Sequence, residues 1–129
     1  MDKTILVGFS VVEGEKLLNR LDQSNLLEVT SAFWYYVSES EQYRLVIVSP
    51  FFEKHGPRKT YEKIQKVIRS NEDLNLTLSD VSVMGPNDPL NEALRTLLPK
   101  DAPKTLGIRI TQSVVDGIYV DDAYLYRIG

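Results

Sequence analysis

Two runs of β-branched and aromatic residues flank a short polar break, and they constrain the fold more than any other stretch. Val29, Thr30, Phe33, Trp34, Tyr35, Tyr36 and Val37 make the first run, and Leu45, Val46, Ile47 and Val48 make the second. Such residues fit a pleated, half-buried surface. Ser38, Glu39, Ser40 and Glu41 between them have nothing apolar to bury and suit a turn. A loop of those residues sets Tyr36 opposite Tyr43, Trp34 opposite Leu45 and Ala32 opposite Ile47. Phe33 with Val46 and Tyr35 with Arg44 then share the other side. Both sides are substantially apolar, whereas a hairpin at the edge of a one-sided sheet alternates more cleanly. The expectation is a central ribbon, with helices on one face and the other face covered by more of this chain or by a second copy.

The chain has 129 residues, which by size is one domain spanning residues 1–129. At that length roughly two-thirds of the unfolded chain's surface can be buried without a disulfide or metal staple. The absence of cysteine excludes disulfide frameworks, thiolate zinc sites and cysteine nucleophiles, and the single histidine, His55, excludes sites needing two imidazoles. The net charge of -3 argues against a broad nucleic-acid footprint, since only residues 54–69 are rich in base. No apolar run approaches the roughly 20 residues of a membrane helix, and the start lacks a small-residue cleavage pattern. A cytoplasmic location is expected.

Along the chain, residues 4–9 read as an edge strand or an irregular lead-in. Ser10 with Glu13 has capping-box spacing, and Val11, Gly14, Leu17, Leu18 and Leu21 recur at helical intervals, so a helix is expected over residues 11–24. Gly14 weakens its first turn by about 1 kcal/mol relative to alanine. After the ribbon, Pro50 ends the strand pairing and Pro57 suits the first position of a second helix. Tyr61, Ile64, Val67 and Ile68 are its buried stripe. Leu74, Leu76 and Leu78 alternate with polar residues, out of phase with Val81 and Val83, which reads as a bulged strand or two short segments. Asp88 and Pro89 open a third helix carrying Leu90, Ala93, Leu94, Leu97 and Leu98. Asp116-Gly117 is the preferred two-residue hairpin turn, pairing Val114 with Tyr119, Gln112 with Asp121, Ile110 with Ala123 and Ile108 with Leu125. That face, apolar except at Gln112 and Asp121, is expected to meet the helices. Arg109 and Asp122 are diagonal neighbours on the other and suited to pair.

The fold class expected is α+β: an antiparallel sheet of about five strands built from two hairpins, with three helices packed mainly on one face.

The chemistry-bearing candidates are few. Lys54, His55, Gly56, Arg58 and Lys59 place cations at a helix start, where Asp or Glu is the usual choice and a bound phosphate would compensate. Simple exposure, or pairing with Glu53 and Glu62, accounts for the same residues. The glycine spacing is not that of a P-loop. His55 with Glu53 or Ser49 suggests a hydrolase, although its partners are only neighbours in sequence. Asp116, Asp121 and Asp122 do not make a metal site, because adjacent strand residues point to opposite faces. No cofactor is expected. Trp34, Tyr35, Tyr36, Tyr43, Tyr124 and Tyr126 suit either core packing or an interface.

The leading functional expectation is a non-enzymatic interaction module that self-associates, as a homodimer, through sheet surface, or that binds another protein. The alternative is a binder of a phosphate-bearing small molecule or nucleic acid at residues 54–59, and the third is a hydrolase using His55.

Overall fold

The computed structural model describes residues 8–103 and 105–129, with backbone only at 8 and 9. The order is α1 (Gly8–Ser24), β1 (Ser31–Val37), β2 (Gln42–Val48), α2 (Pro50–Arg69), a 3₁₀ turn (Leu78–Asp80), β3 (Val81–Met84), α3 (Pro89–Thr96), β4 (Ile108–Val115) and β5 (Ile118–Arg127). It is an α+β arrangement of three helices and a five-stranded sheet. Of the expected strand or lead-in over residues 4–9, residues 4–7 lie outside the described residues, while 8 and 9 already belong to α1.

The sheet runs β3-β2-β1-β5-β4. β1 and β2 pair antiparallel across residues 38–41, with Tyr36 opposite Tyr43, Trp34 opposite Leu45 and Ala32 opposite Ile47. β4 and β5 pair antiparallel across Asp116-Gly117, whose φ values of 49° and 81° are the positive pair that a type I′ turn needs. The sheet is nonetheless mixed rather than antiparallel throughout. β2 pairs parallel to β3, Leu45 lying opposite Val81 and Val48 opposite Met84. The reason is the connection: α2 is 20 residues long and crosses over, so the chain returns in its original direction. The leucine alternation before β3 is not strand pairing. Leu74 and Leu76 are buried against the helices, and the Glu13 carboxylate holds the Asn75 amide between them at 2.8 Å.

Both sides of the β1–β2 ribbon are covered within one chain over Ser31–Trp34 and Leu45–Val48, while the turn end stays partly exposed. On one side α1 and α2 pack Leu17, Leu21, Ile64 and Val67 over Trp34, Leu45 and Ile47. On the other, Ala93 and Leu94 of α3 join Val115, Val120 and Leu125 over Phe33, Val46 and Val48. Phe33 and Val48 are 0% exposed and Trp34 4%. Of the two covers expected for the second face, more of this chain or a second copy, the structure has the first: α3 and the β4–β5 pair lie over it. The helices are therefore divided between the faces.

Three local departures have physical causes. α1 begins before Ser10, so Ser10 is no cap, and Glu13 serves Asn75 and Lys16 instead of a capping box. Gly14 is there for close approach: a Cβ at that position would stand 2.8 Å from Trp34 Nε1. α2 starts at Pro50 rather than Pro57, because the buried Ser49 caps it by accepting from the Phe51 amide at 3.2 Å. The helix breaks at Gly56 (φ 83°, ψ 176°) and resumes at Pro57.

Candidate interaction surfaces

The basic segment is the interior of a kinked helix, not a loop. Lys54, His55, Arg58 and Lys59 are exposed around the half-buried Gly56. The Thr60 hydroxyl donates to the Gly56 carbonyl at 2.8 Å and closes the break. Arg58 Nε lies 3.6 Å from Glu62, an exposed i,i+4 pair. His55 stacks on the Phe51 ring with centroids 4.2 Å apart. The hydrolase partners are engaged elsewhere: Ser49 caps α2, and Glu53 accepts from the Asn87 amide at 3.2 Å. No relay through His55 is assembled among these three residues.

The aromatic set divides by depth. Trp34, Tyr36 and Tyr126 are buried, while Tyr35, Tyr43 and Tyr124 are half-buried. Trp34 Nε1 donates to the Ser10 carbonyl at 3.2 Å and to the Tyr126 hydroxyl at 2.9 Å. Tyr126 in turn donates to the Val11 carbonyl at 2.5 Å. Burial pushes the Tyr126 hydroxyl well above the usual phenol range, so it stays protonated. These rings pin α1 to the sheet, and their polar ends are spent inside the fold.

A second polar link ties β2 to the far ribbon. Asp122 is 5% exposed and accepts from the Tyr43 hydroxyl. Arg109 holds the same carboxylate in a fork at 2.8 and 2.6 Å, the pairing that the strand spacing suggested. Burial, reinforced by Asp122, raises the Tyr43 hydroxyl far above its ordinary value. Asp116 sits in the tight turn. Among the described residues no group of His, Asp and Glu side chains is arranged to hold a metal ion. No described helix is long and apolar enough to cross a membrane.

Apart from Val12 and Leu97, the large exposed apolar side chains lie where the strand pattern promised contact with helices. Val114 is 71% exposed, Tyr119 opposite it 56% and Ile108 38%. β4 is the outer strand of the sheet, paired among the described residues only with β5. Its pairing skips Gln112, which has a positive φ of 44°. The polar run Thr111, Gln112 and Ser113 was the available signal that β4 is an edge.

The opposite end of the sheet carries a groove of ≈ 920 Å³ between α2 and the start of β3. Arg58, Lys66 and Arg69 line its helix side and Arg44 its sheet side, over Tyr61 and Leu78. Of the basic cluster at residues 54–59, only Arg58 reaches it. The other large cavity, ≈ 1020 Å³ beside residues 25–30 and 98–103, is lined by Arg127, which pairs with Asp22 at 2.6 Å, and by Arg95, which donates to the Gly129 carbonyl. Comparisons with protein-family models, with curated proteins and with solved structures gave no match.

Proposed function

We propose that this chain is a non-enzymatic interaction module that self-associates by strand pairing along β4. The observation that carries the reading is the exposed apolar edge formed by Ile108, Val114 and the facing Tyr119. Edge strands of monomers are commonly blunted by lysine, proline, a bulge or short length, and of these β4 has only the irregularity at Gln112. β4 has eight residues, no lysine and no proline, and its one charged side chain, Arg109, is drawn back onto Asp122.

A second copy fits this edge by its own pattern. An antiparallel pairing with Thr111 on the two-fold axis sets Ile108 of one copy opposite Val114 of the other. Arg109 then faces Ser113, so no like charges meet. The break at Gln112 limits each unbroken stretch of ladder to a few residues, so the association is reversible rather than obligate. Light scattering across the micromolar range tests it. The wild type should show a concentration-dependent rise toward the dimer mass, and Val114→Lys should remain monomeric with its melting unchanged. A wild-type monomer at every concentration sinks the proposal.

A further inference from the structure

We infer that the groove between α2 and the start of β3 is a docking site for an acidic, extended peptide segment of a partner protein. This site is independent of β4 and lies at the other end of the sheet. Its lining carries Arg44, Arg58, Lys66 and Arg69 against one carboxylate, Glu62. The whole chain is net -3, so the groove inverts the sign of the molecule around it.

The positive charge is not idle surface charge. Arg44 is held in one pose by neutral oxygens: its Nε donates to Ser82 Oγ at 2.9 Å, one terminal nitrogen to the Val81 carbonyl at 2.6 Å and the other to the Ser79 carbonyl. Among the described residues no carboxylate forms an ion pair with Arg44, Lys66 or Arg69. A guanidinium ordered without a counter-charge offers its field to whatever enters beside it.

The layout selects the class of ligand. Arg58 and Arg69 stand on one stripe of α2, about 16 Å apart at the helical rise per residue. A single phosphate needs donors converging on one point, and here the cations are strung along a line while Arg44 has already committed its fork. A nucleic-acid strand is a line of charge, but Glu62 interrupts the groove with a carboxylate. A peptide accommodates both features. Its Asp or Glu side chains meet the separated cations, its backbone amides face Glu62 and Gln65, and an apolar side chain covers Tyr61 and Leu78.

The test is fluorescence anisotropy with a labelled peptide alternating glutamate and leucine, alongside a lysine–leucine peptide, inorganic phosphate as competitor and a labelled single-stranded oligonucleotide. The glutamate–leucine peptide should bind, weaken with added salt, and weaken about tenfold in each of Arg58→Glu and Arg69→Glu. Both side chains are exposed, so unchanged thermal melting of the variants separates a lost site from a lost fold. Val114→Lys should bind as the wild type does, which separates this site from the β4 edge. No binding, equal binding of the lysine–leucine peptide, or indifference to both reversals overturns the docking site. Tighter binding of the oligonucleotide through Arg58 and Arg69, or full displacement of the peptide by millimolar phosphate, overturns the peptide as its occupant.

Discussion

The two outer strands of the sheet are treated differently. β3 has four residues. Arg44 wraps its start by donating to the Ser79 and Val81 carbonyls, and the Ser49 amide, continuing the β2 side of the ladder, donates to the Met84 carbonyl at 3.1 Å. Glu53 of α2 then clamps the following turn through Asn87. β4 has eight residues, ends on a bare tip, and exposes Val114 and Tyr119. One outer strand is short and carries Arg44 over its start, and the other is long, without lysine or proline. That difference is why the proposed pairing between copies is assigned to β4 and the proposed peptide site to the β3 end.

The largest effect that would sharpen this contrast concerns how β4 is held to the sheet. Arg109→Ala removes the fork from a buried carboxylate that keeps its Tyr43 hydrogen bond, and with Arg109 itself half exposed should cost about 2–3 kcal/mol in urea unfolding. A change below about 0.5 kcal/mol would mean that the Arg109 fork does not secure β4. Arg44→Ala opens the protected edge. It leaves two carbonyls without their donor, should cost about 2 kcal/mol, and should make the protein more prone to aggregate as β3 loses its plug.

Smaller effects test the break in β4. Gln112 holds φ 44°, which glycine adopts without strain, so Gln112→Gly should stabilise by about 0.5–1 kcal/mol while keeping the break. Destabilisation would show that the Gln112 side chain, not its backbone, matters there. The smallest effect concerns acid. The Arg20 guanidinium beside Asp73 holds its carboxyl down at about 2 from an ordinary 3.8, and the Asn75 amide and Lys16 outweigh burial to lower Glu13. Both shifts are downward. Their stabilisation is therefore present above the ordinary values and is lost as pH falls below 4.5 for Glu13 and from 3.8 toward about 2 for Asp73. The urea midpoint should drop through that window, and Asp73→Asn should start lower at neutral pH and drop less. An equal drop in the variant would remove Asp73 from the account.

How far the chain could be read in advance follows from how local each feature is. The β1–β2 register came from residues a few positions apart, and so did the Asp88 cap of α3, whose side chain accepts from Leu90 at 3.0 Å. The Arg109–Asp122 pair followed from the tight turn between them. The parallel β2–β3 pair did not follow, because it depends on a helix crossing the sheet and not on any pattern within β3. The first turn of α2 was hidden by a second proline, since Pro50 and Pro57 both open helical segments across Gly56. Two-sided greasiness in β1 and β2 was rightly legible as centrality. It left open what covers the second face, because α3 and the β4–β5 pair that do so come from distant sequence. Tyr119 and Val114 share a strand phase with the buried Ala123 and Leu125, but beyond the break at Gln112 the buried phase passes to Val115 and Val120, which leaves Val114 and Tyr119 in water.

The central claim is that β4 accepts a second copy, and amide hydrogen exchange measured at low and high protein concentration tests it most directly. The account predicts that amides of β4 not engaged by β5 gain protection as concentration rises, that those of β3 do not change, and that Val114→Lys abolishes the gain. Exchange along β4 that is independent of concentration, or a gain confined to β3, would contradict it.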